Sequence, residues 1–263
     1  MPTDIFAYCS NLIKKEAPDF YLLAMLMPKD KQPYLLSVFA FNHEISKTRE
    51  IVTETTIGLM RLLWWREAIQ DIYQGKTNKE HPVLQALVTT IKHNDLPLKL
   101  FEDLTYAREF DLEDMQPSNI QGLLNYCDFT HTPLFTLCLK IIGEDTDCKE
   151  TATQYGLVKI IKSTVYFARQ NRRFLPQDLC DREGLSKDLL NSASREKLQH
   201  IIQQIFLKVK NPKKDSSKFL KATQTLTLLY KKQLEAVDYD ALDYRLTLPP
   251  FAKALRVWIA TIF

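Results

Sequence analysis

The sequence predicts an all-α fold, and three observations carry that prediction. Glycine is scarce: the 263 residues contain only 6, where average usage of about 7% would give roughly 18. A chain so poor in the residue that adopts positive φ has few tight turns, which argues against a sandwich or barrel. Apolar residues recur at steps of three and four along most of the chain, the helical period. No alternating β-branched run is bounded by Asn-Gly or Asp-Gly, so strand signals are absent. The glycine spacing also excludes a phosphate-cradling loop, because no two glycines fit GxGxxG or GxxxxGK.

Taken in order, the spacing predicts helices over 4–15, 18–27 and 31–50. The next, 57–74, places Ile57, Met60, Trp64, Ala68 and Ile72 on one face, with Thr55 or Thr56 as its cap. His81-Pro82 opens another, since proline suits a first helical turn. That helix carries Leu84, Leu87, Val88 and Ile91 and ends near Asn94. Further helices are predicted over 98–114, 118–128, 131–142, 148–170, 193–210, 216–237 and 249–261. The basic stretch from Lys208 to Lys218 reads as a solvated loop. No Pro/Gly/Ser-rich linker divides the chain, so a single domain spanning 1–263 is expected.

Charge and cysteine content narrow the function classes. The formal net charge is +3, from 35 Lys+Arg against 32 Asp+Glu, so no nucleic-acid partner is implied. Five scattered cysteines without CxxC suggest free thiols rather than a zinc site or a disulfide framework. No HxxxH pair and no GxSxG occurs, so no metal ligation by histidine and no serine-hydrolase elbow is expected. No apolar run is long enough to span a bilayer: Arg61 interrupts one candidate, and Lys253 and Arg256 another. The N-terminus has no apolar signal region and no Arg-rich transit pattern. A bacterial cytoplasmic location, with peripheral membrane contact, is the expectation, and a processed mitochondrial form is the alternative.

Several segments in order resemble the squalene/phytoene synthase family. FYLLAMLM at 20–27, followed by PKDK, resembles the family's entry helix. FAFNHE at 39–44 resembles its "YAFCR" helix, and Trp64-Trp65-Arg66 its "WWR". HPVL at 81–84, REFDL at 108–112, LLNYC at 123–127 and FLPQD at 174–178 are similar to further family motifs. The resemblance implies the isoprenoid synthase bundle, helices around a central cavity. It also implies two DxxxD motifs. Carboxylates at i and i+4 share a helix face. Two facing pairs hold Mg²⁺, which neutralises a leaving diphosphate.

Carried over residue by residue, the first motif falls on Ser46 and Glu50, so only Glu50 keeps a carboxylate. The second falls on Ser163 and Phe167, and no acid occurs between Glu150 and Asp178. The family's small "AGxVG" element becomes HTPLF, with Phe135 at its second glycine. Acidic i,i+4 pairs elsewhere are Glu50/Glu54, Glu67/Asp71 and Glu109/Glu113; the last two read as solvated helix faces. Asp111 matches a family position that faces the cavity. The site residues implied are thus Glu50, as a vestigial catalytic acid, with His43, Lys47, Tyr126, Lys162 and Arg169 toward substrate. Lys47, Arg49, Lys162 and Arg169 either meet an anionic headgroup without Mg²⁺ or form ordinary salt bridges with Glu44, Glu50 and Glu54. His43 either lines the cavity or makes a satisfied polar contact, and Tyr126, Trp64 and Trp65 are either cavity lining or core.

Within the family, AFNHE, IGLMR at 57–61 and FLPQDLC at 174–180 are most similar to one subgroup, the mitochondrial complex I assembly factors and their alphaproteobacterial relatives. That resemblance implies a non-catalytic assembly role, a respiratory-complex subunit as partner and no cofactor. The alternatives are an active prenyl transferase, which would need Mg²⁺ and a prenyl diphosphate, and a lipid-binding module using the same cavity.

Overall fold

The computed structural model describes residues 3–76, 80–113, 115–185, 188–210 and 217–262. Among them every regular element is helical. The chain forms two compact units, residues 1–113 with 129–148, and residues 114–128 with 149–263.

The first unit begins with α1 (Thr3–Glu16) and α2 (Pro18–Met25), followed by α3 (Gln32–Ser46), α4 (Thr48–Ile51) and α5 (Thr55–Tyr73). It continues with α6 (Pro82–Asn94), α7 (Leu98–Ala107) and α8 (Glu109–Leu112). α3 is the centre of this unit and packs on α1 and α6, while α5 packs on α7. The run from Leu35 to Asn42 on α3 is buried all round, which is what a helix enclosed on several sides requires. Phe39 stacks on Phe20 and Phe41 meets Trp65 and Phe101 edge-on. At Gly58 a Cβ would lie 2.5 Å from Leu112 Cδ2, so a larger residue there would require the Leu112 side chain to move.

α9 (Ile120–Ile142) supplies residues to both units, and α10 (Lys149–Lys162) and α11 (Thr164–Arg169) continue the second. α12 (Gln177–Glu183), α13 (Arg195–Phe206), α14 (Lys218–Ala236) and α15 (Lys253–Ala260) complete it. α14 packs against α10 and α15, and α12 against α13. Ser217 caps α14 by accepting a hydrogen bond from the Leu220 N–H at 3.2 Å. Among the described residues, all five cysteines are free and buried. Burial pushes the Cys9 thiol up to about 12 and raises Cys138 as well; neither is a reactive thiolate.

The periodicity located the helices but not their interruptions. The helices expected over 31–50, 98–114 and 148–170 each break at one residue, Lys47, Arg108 and Ser163. At the first and third a side-chain hydroxyl bonds back to the preceding turn. Ser46 Oγ donates back to the His43 carbonyl at 3.0 Å, and Thr164 Oγ1 to the Ile161 carbonyl at 2.8 Å. Such a bond competes with the helix ladder but does not by itself break it, since Ser37 Oγ donates to the Tyr34 carbonyl at 2.8 Å inside the unbroken α3. Conversely, the helices expected over 118–128 and 131–142 are one, α9, with Pro133 inside it; it forgoes a single ladder bond there. The expected threonine cap on α5 is not made. Glu54 occupies the cap position without a side-chain bond, and Thr55 Oγ1 donates to the Leu112 carbonyl at 3.2 Å. α12 had no counterpart in the sequence reading. Residues 211–216 of the expected basic loop lie outside the described residues.

Candidate functional site

In the first unit the last turn of α3 presents Asn42, His43 and Glu44. Glu44 is buried, with 3% of its surface exposed. It accepts from Lys47 Nζ at 2.6 Å and from Arg61 Nη2 at 2.9 Å. A carboxylate this buried is costly unless paired, and two cations, each partly open to water, meet that need. Lys47 is therefore engaged inward, by the residue three before it. His43 is half-buried; burial, and then the neighbouring Lys47, hold its imidazole below the ordinary value. After the break at Lys47 the helix resumes as α4, tightened by a Glu50 N–H bond to the Lys47 carbonyl at 2.9 Å. Glu50 itself is exposed.

A second buried polar group lies in the same unit. Arg108 Nη1 pairs with Asp111 at 3.5 Å and Arg108 Nη2 donates to Asn42 Oδ1 at 3.2 Å. Asp111, at a family position, is thus buried against its own helix turn rather than open. His81 caps α6 by accepting from the Val83 N–H at 3.3 Å. Its ring lies 4.9 Å from that of Trp65, and burial is the main cause that lowers its pKa. Phe135, where the family has a glycine, is fully buried. Glu67 is exposed and the Glu109 carboxylate reaches Arg66 at 3.4 Å.

In the second unit the position of the second acidic motif holds an aromatic cluster. Phe167 meets Phe174 with ring centroids 4.7 Å apart, and Tyr126 meets Phe174 at 4.9 Å. The Arg172 guanidinium sits 5.3 Å from the Phe167 centroid and 4.9 Å from that of Phe174. Arg172 is only 8% exposed, so ring faces take the place of water around a charged group. Lys162 Nζ lies 4.6 Å from the Tyr230 centroid and reaches the Leu248 carbonyl at 3.5 Å. Gln233 Nε2 donates to the same carbonyl at 3.0 Å. Arg169 is exposed in the last turn of α11, where a cation suits the helix dipole.

The six residues indicated by sequence divide evenly. His43, Lys47 and Glu50 belong to the first unit, and Tyr126, Lys162 and Arg169 to the second. These groups do not fit the Mg²⁺ cluster implied by the family chemistry. Magnesium wants oxygen ligands in near-octahedral array. The second motif offers a phenyl ring beside a guanidinium, and the first keeps one exposed carboxylate. Among the described residues no group of three or more His, Cys, Asp or Glu side chains is placed to hold a metal. The sequence reading missed Arg61 and Arg172. Arg61 lies within the quoted IGLMR segment and Arg172 two residues before FLPQD, so position along the chain was the available signal.

Comparison with known proteins places these features. The squalene/phytoene synthase family model matches residues 13–252, across both units. NADH dehydrogenase (ubiquinone) complex I, assembly factor 6, of Bos taurus is 30% identical over 275 residues, covering 95% of this chain and 81% of that one. The Homo sapiens protein of the same name is 29% identical, covering 97% and 82%. A dehydrosqualene synthase crystal structure superposes with a TM-score of 0.72 at 17% identity, covering 98% of this chain and 96% of that chain. The all-helical architecture is thus the isoprenoid synthase fold. With the family match running over nearly the whole length, this chain belongs to the squalene/phytoene synthase family.

Proposed function

We propose that this protein is a non-catalytic member of the family and acts in the assembly of respiratory complex I. The observation that carries the loss of catalysis is the cluster of Phe167, Phe174 and Arg172 where the second pair of metal-holding carboxylates would stand. Ionising a prenyl diphosphate requires neutralisation of the departing group, and a phenyl ring supplies none. The assembly role is supported by near full-length similarity to complex I assembly factor 6. In this reading Glu50 is a vestige of the first motif. His43, Lys47, Tyr126, Lys162 and Arg169 are remnants of the substrate side, with Lys47 now serving Glu44. The partner is a complex I subunit, met at the cytoplasmic face of a bacterial membrane.

Two measurements test the two halves. Incubation with farnesyl or geranylgeranyl diphosphate and Mg²⁺ releases no diphosphate above the no-protein rate; release that Glu50→Ala abolishes overturns the non-catalytic reading. Deletion of the gene in its own host lowers assembled complex I on native gels, together with NADH:ubiquinone oxidoreductase activity. Unchanged complex I overturns the assembly role.

A further inference from the structure

The C-terminal helix of the second unit carries apolar side chains on the face it turns to solvent. α15 packs on α14 through Val257, which is fully buried. On the opposite side of the same two turns Leu255 is 55% and Trp258 50% exposed. Ile259 and Ile262 extend this stripe, also exposed, at the i, i+3, i+4, i+7 spacing of one helix face. Phe251, just before the helix, is 91% exposed. It is turned outward where Ala252 adopts a left-handed φ of 51°, a conformation a residue with a Cβ rarely takes. Ordinary amphipathic helices show water their polar face. This one shows water an apolar face as well as its two cations, Lys253 and Arg256.

The two helices at the stripe carry mostly positive charge. α14 bears four lysines and a single acid, Glu235, and α15 bears Lys253 and Arg256 with no acid. Lys232 and Arg256 border a groove of about 290 Å³ between the two helices, floored by Leu228, Leu229 and Ile259. Aromatic and aliphatic tips flanked by lysine and arginine are the composition of a segment that lies in the headgroup boundary of a bilayer. A net charge of only +3 over the whole chain makes the local excess a property of this face rather than of the protein.

We propose that the α15 face is a membrane-docking surface, in which Phe251, Leu255, Trp258 and Ile262 enter the interface of an anionic phospholipid bilayer. Lys253, Arg256 and Lys232 meet the lipid phosphates. Charge complementarity selects the anionic surface, and the outward apolar stripe supplies the burial. Among the described residues no helix is long and apolar enough to cross a membrane, so this contact is peripheral. It stands on the surface alone and does not depend on the assembly role.

The test is flotation of the full chain with vesicles of phosphatidylcholine, alone or mixed with phosphatidylglycerol. The chain floats with the mixed vesicles and not with the neutral ones, and raised salt weakens binding. Phe251→Glu with Trp258→Glu lowers the bound fraction roughly tenfold or more, the scale expected from losing two apolar anchors. Lys253→Glu with Arg256→Glu, which leaves the apolar stripe intact, lowers it as well. Circular dichroism and melting of both variants match the parent, since the altered side chains are not core. Absence of binding to the mixed vesicles overturns the proposal, as does equal binding by parent and variants. It also falls if the Phe251/Trp258 variant leaves vesicle binding intact and abolishes self-association, which would make the face a protein interface.

Discussion

The two regions where the family resemblance leads one to expect acidic motifs hold different chemistry. Around α3 and α4 Glu44 is buried between Lys47 and Arg61, while Glu50 is at the surface. Around α10 and α11 the carboxylates are gone, and Phe167 packs with Phe174 and Arg172. In both, the helix breaks beside the motif and a hydroxyl bonds back to the turn before. The local backbone geometry is shared, and the side chains on it differ. Buried charge is thus accommodated by opposite charges in one region and by aromatic rings in the other.

The largest expected effect breaks the first of these regions. Glu44→Ala leaves Lys47 and Arg61 facing each other without their counter-ion and should cost about 3 kcal/mol, the low end for breaking a buried pair because both cations are partly solvated. Glu50→Ala, a few residues on, should stay within about 0.5 kcal/mol. Urea denaturation of the two variants reads the difference, and equal losses would erase the distinction drawn between them. In the second region, Phe167→Ala removes a partly buried ring from Phe174 and Arg172. It should cost about 2 kcal/mol, less than a fully buried phenylalanine. A loss below that of Glu50→Ala would mean that the cluster does not stabilise the second unit.

The smallest effect sharpens the first region through pH. His43 and His81 both have folded-state pKa values below the ordinary 6.5, chiefly through burial. The unfolded chain therefore binds more protons in this window. Stability falls as pH drops through about 6.5 and levels off once the folded-state values are passed. His81 adds a specific reason, because protonating Nδ1 removes the acceptor that caps α6. His81→Asn keeps a capping oxygen and should flatten the profile, whereas His81→Ala should lose about 1 kcal/mol at neutral pH. Thermal melts from pH 7.5 to 5.5 separate these outcomes, and an unchanged slope in His81→Asn would remove His81 from the account.

Much of the fold was legible in the residues, because helical periodicity and scarce glycine both follow from local geometry. The breaks at Lys47 and Ser163 were not legible. A serine or threonine next to a carbonyl it can reach is equally compatible with an unbroken helix. The pairing of Lys47 stood open between an anionic ligand and a neighbouring acid. The structure decides for Glu44, whose second cation, Arg61, comes from α5, seventeen residues on in the sequence. Arg172 was invisible as a site residue because nothing local says that two aromatic rings will close around it.

By itself the sequence determined the helical class, the family and the lack of any acid between Glu150 and Asp178. These follow from which atoms each residue owns: a phenyl ring offers Mg²⁺ no oxygen wherever it is placed. Tertiary structure alone decided what packs in that stretch, and which apolar face of α15 is covered. Residues 253–262 are apolar on more than one side, so periodicity cannot say which side meets α14. Burial is a property of neighbours distant in the chain, and it is their packing that hides Val257 and leaves Trp258 facing out.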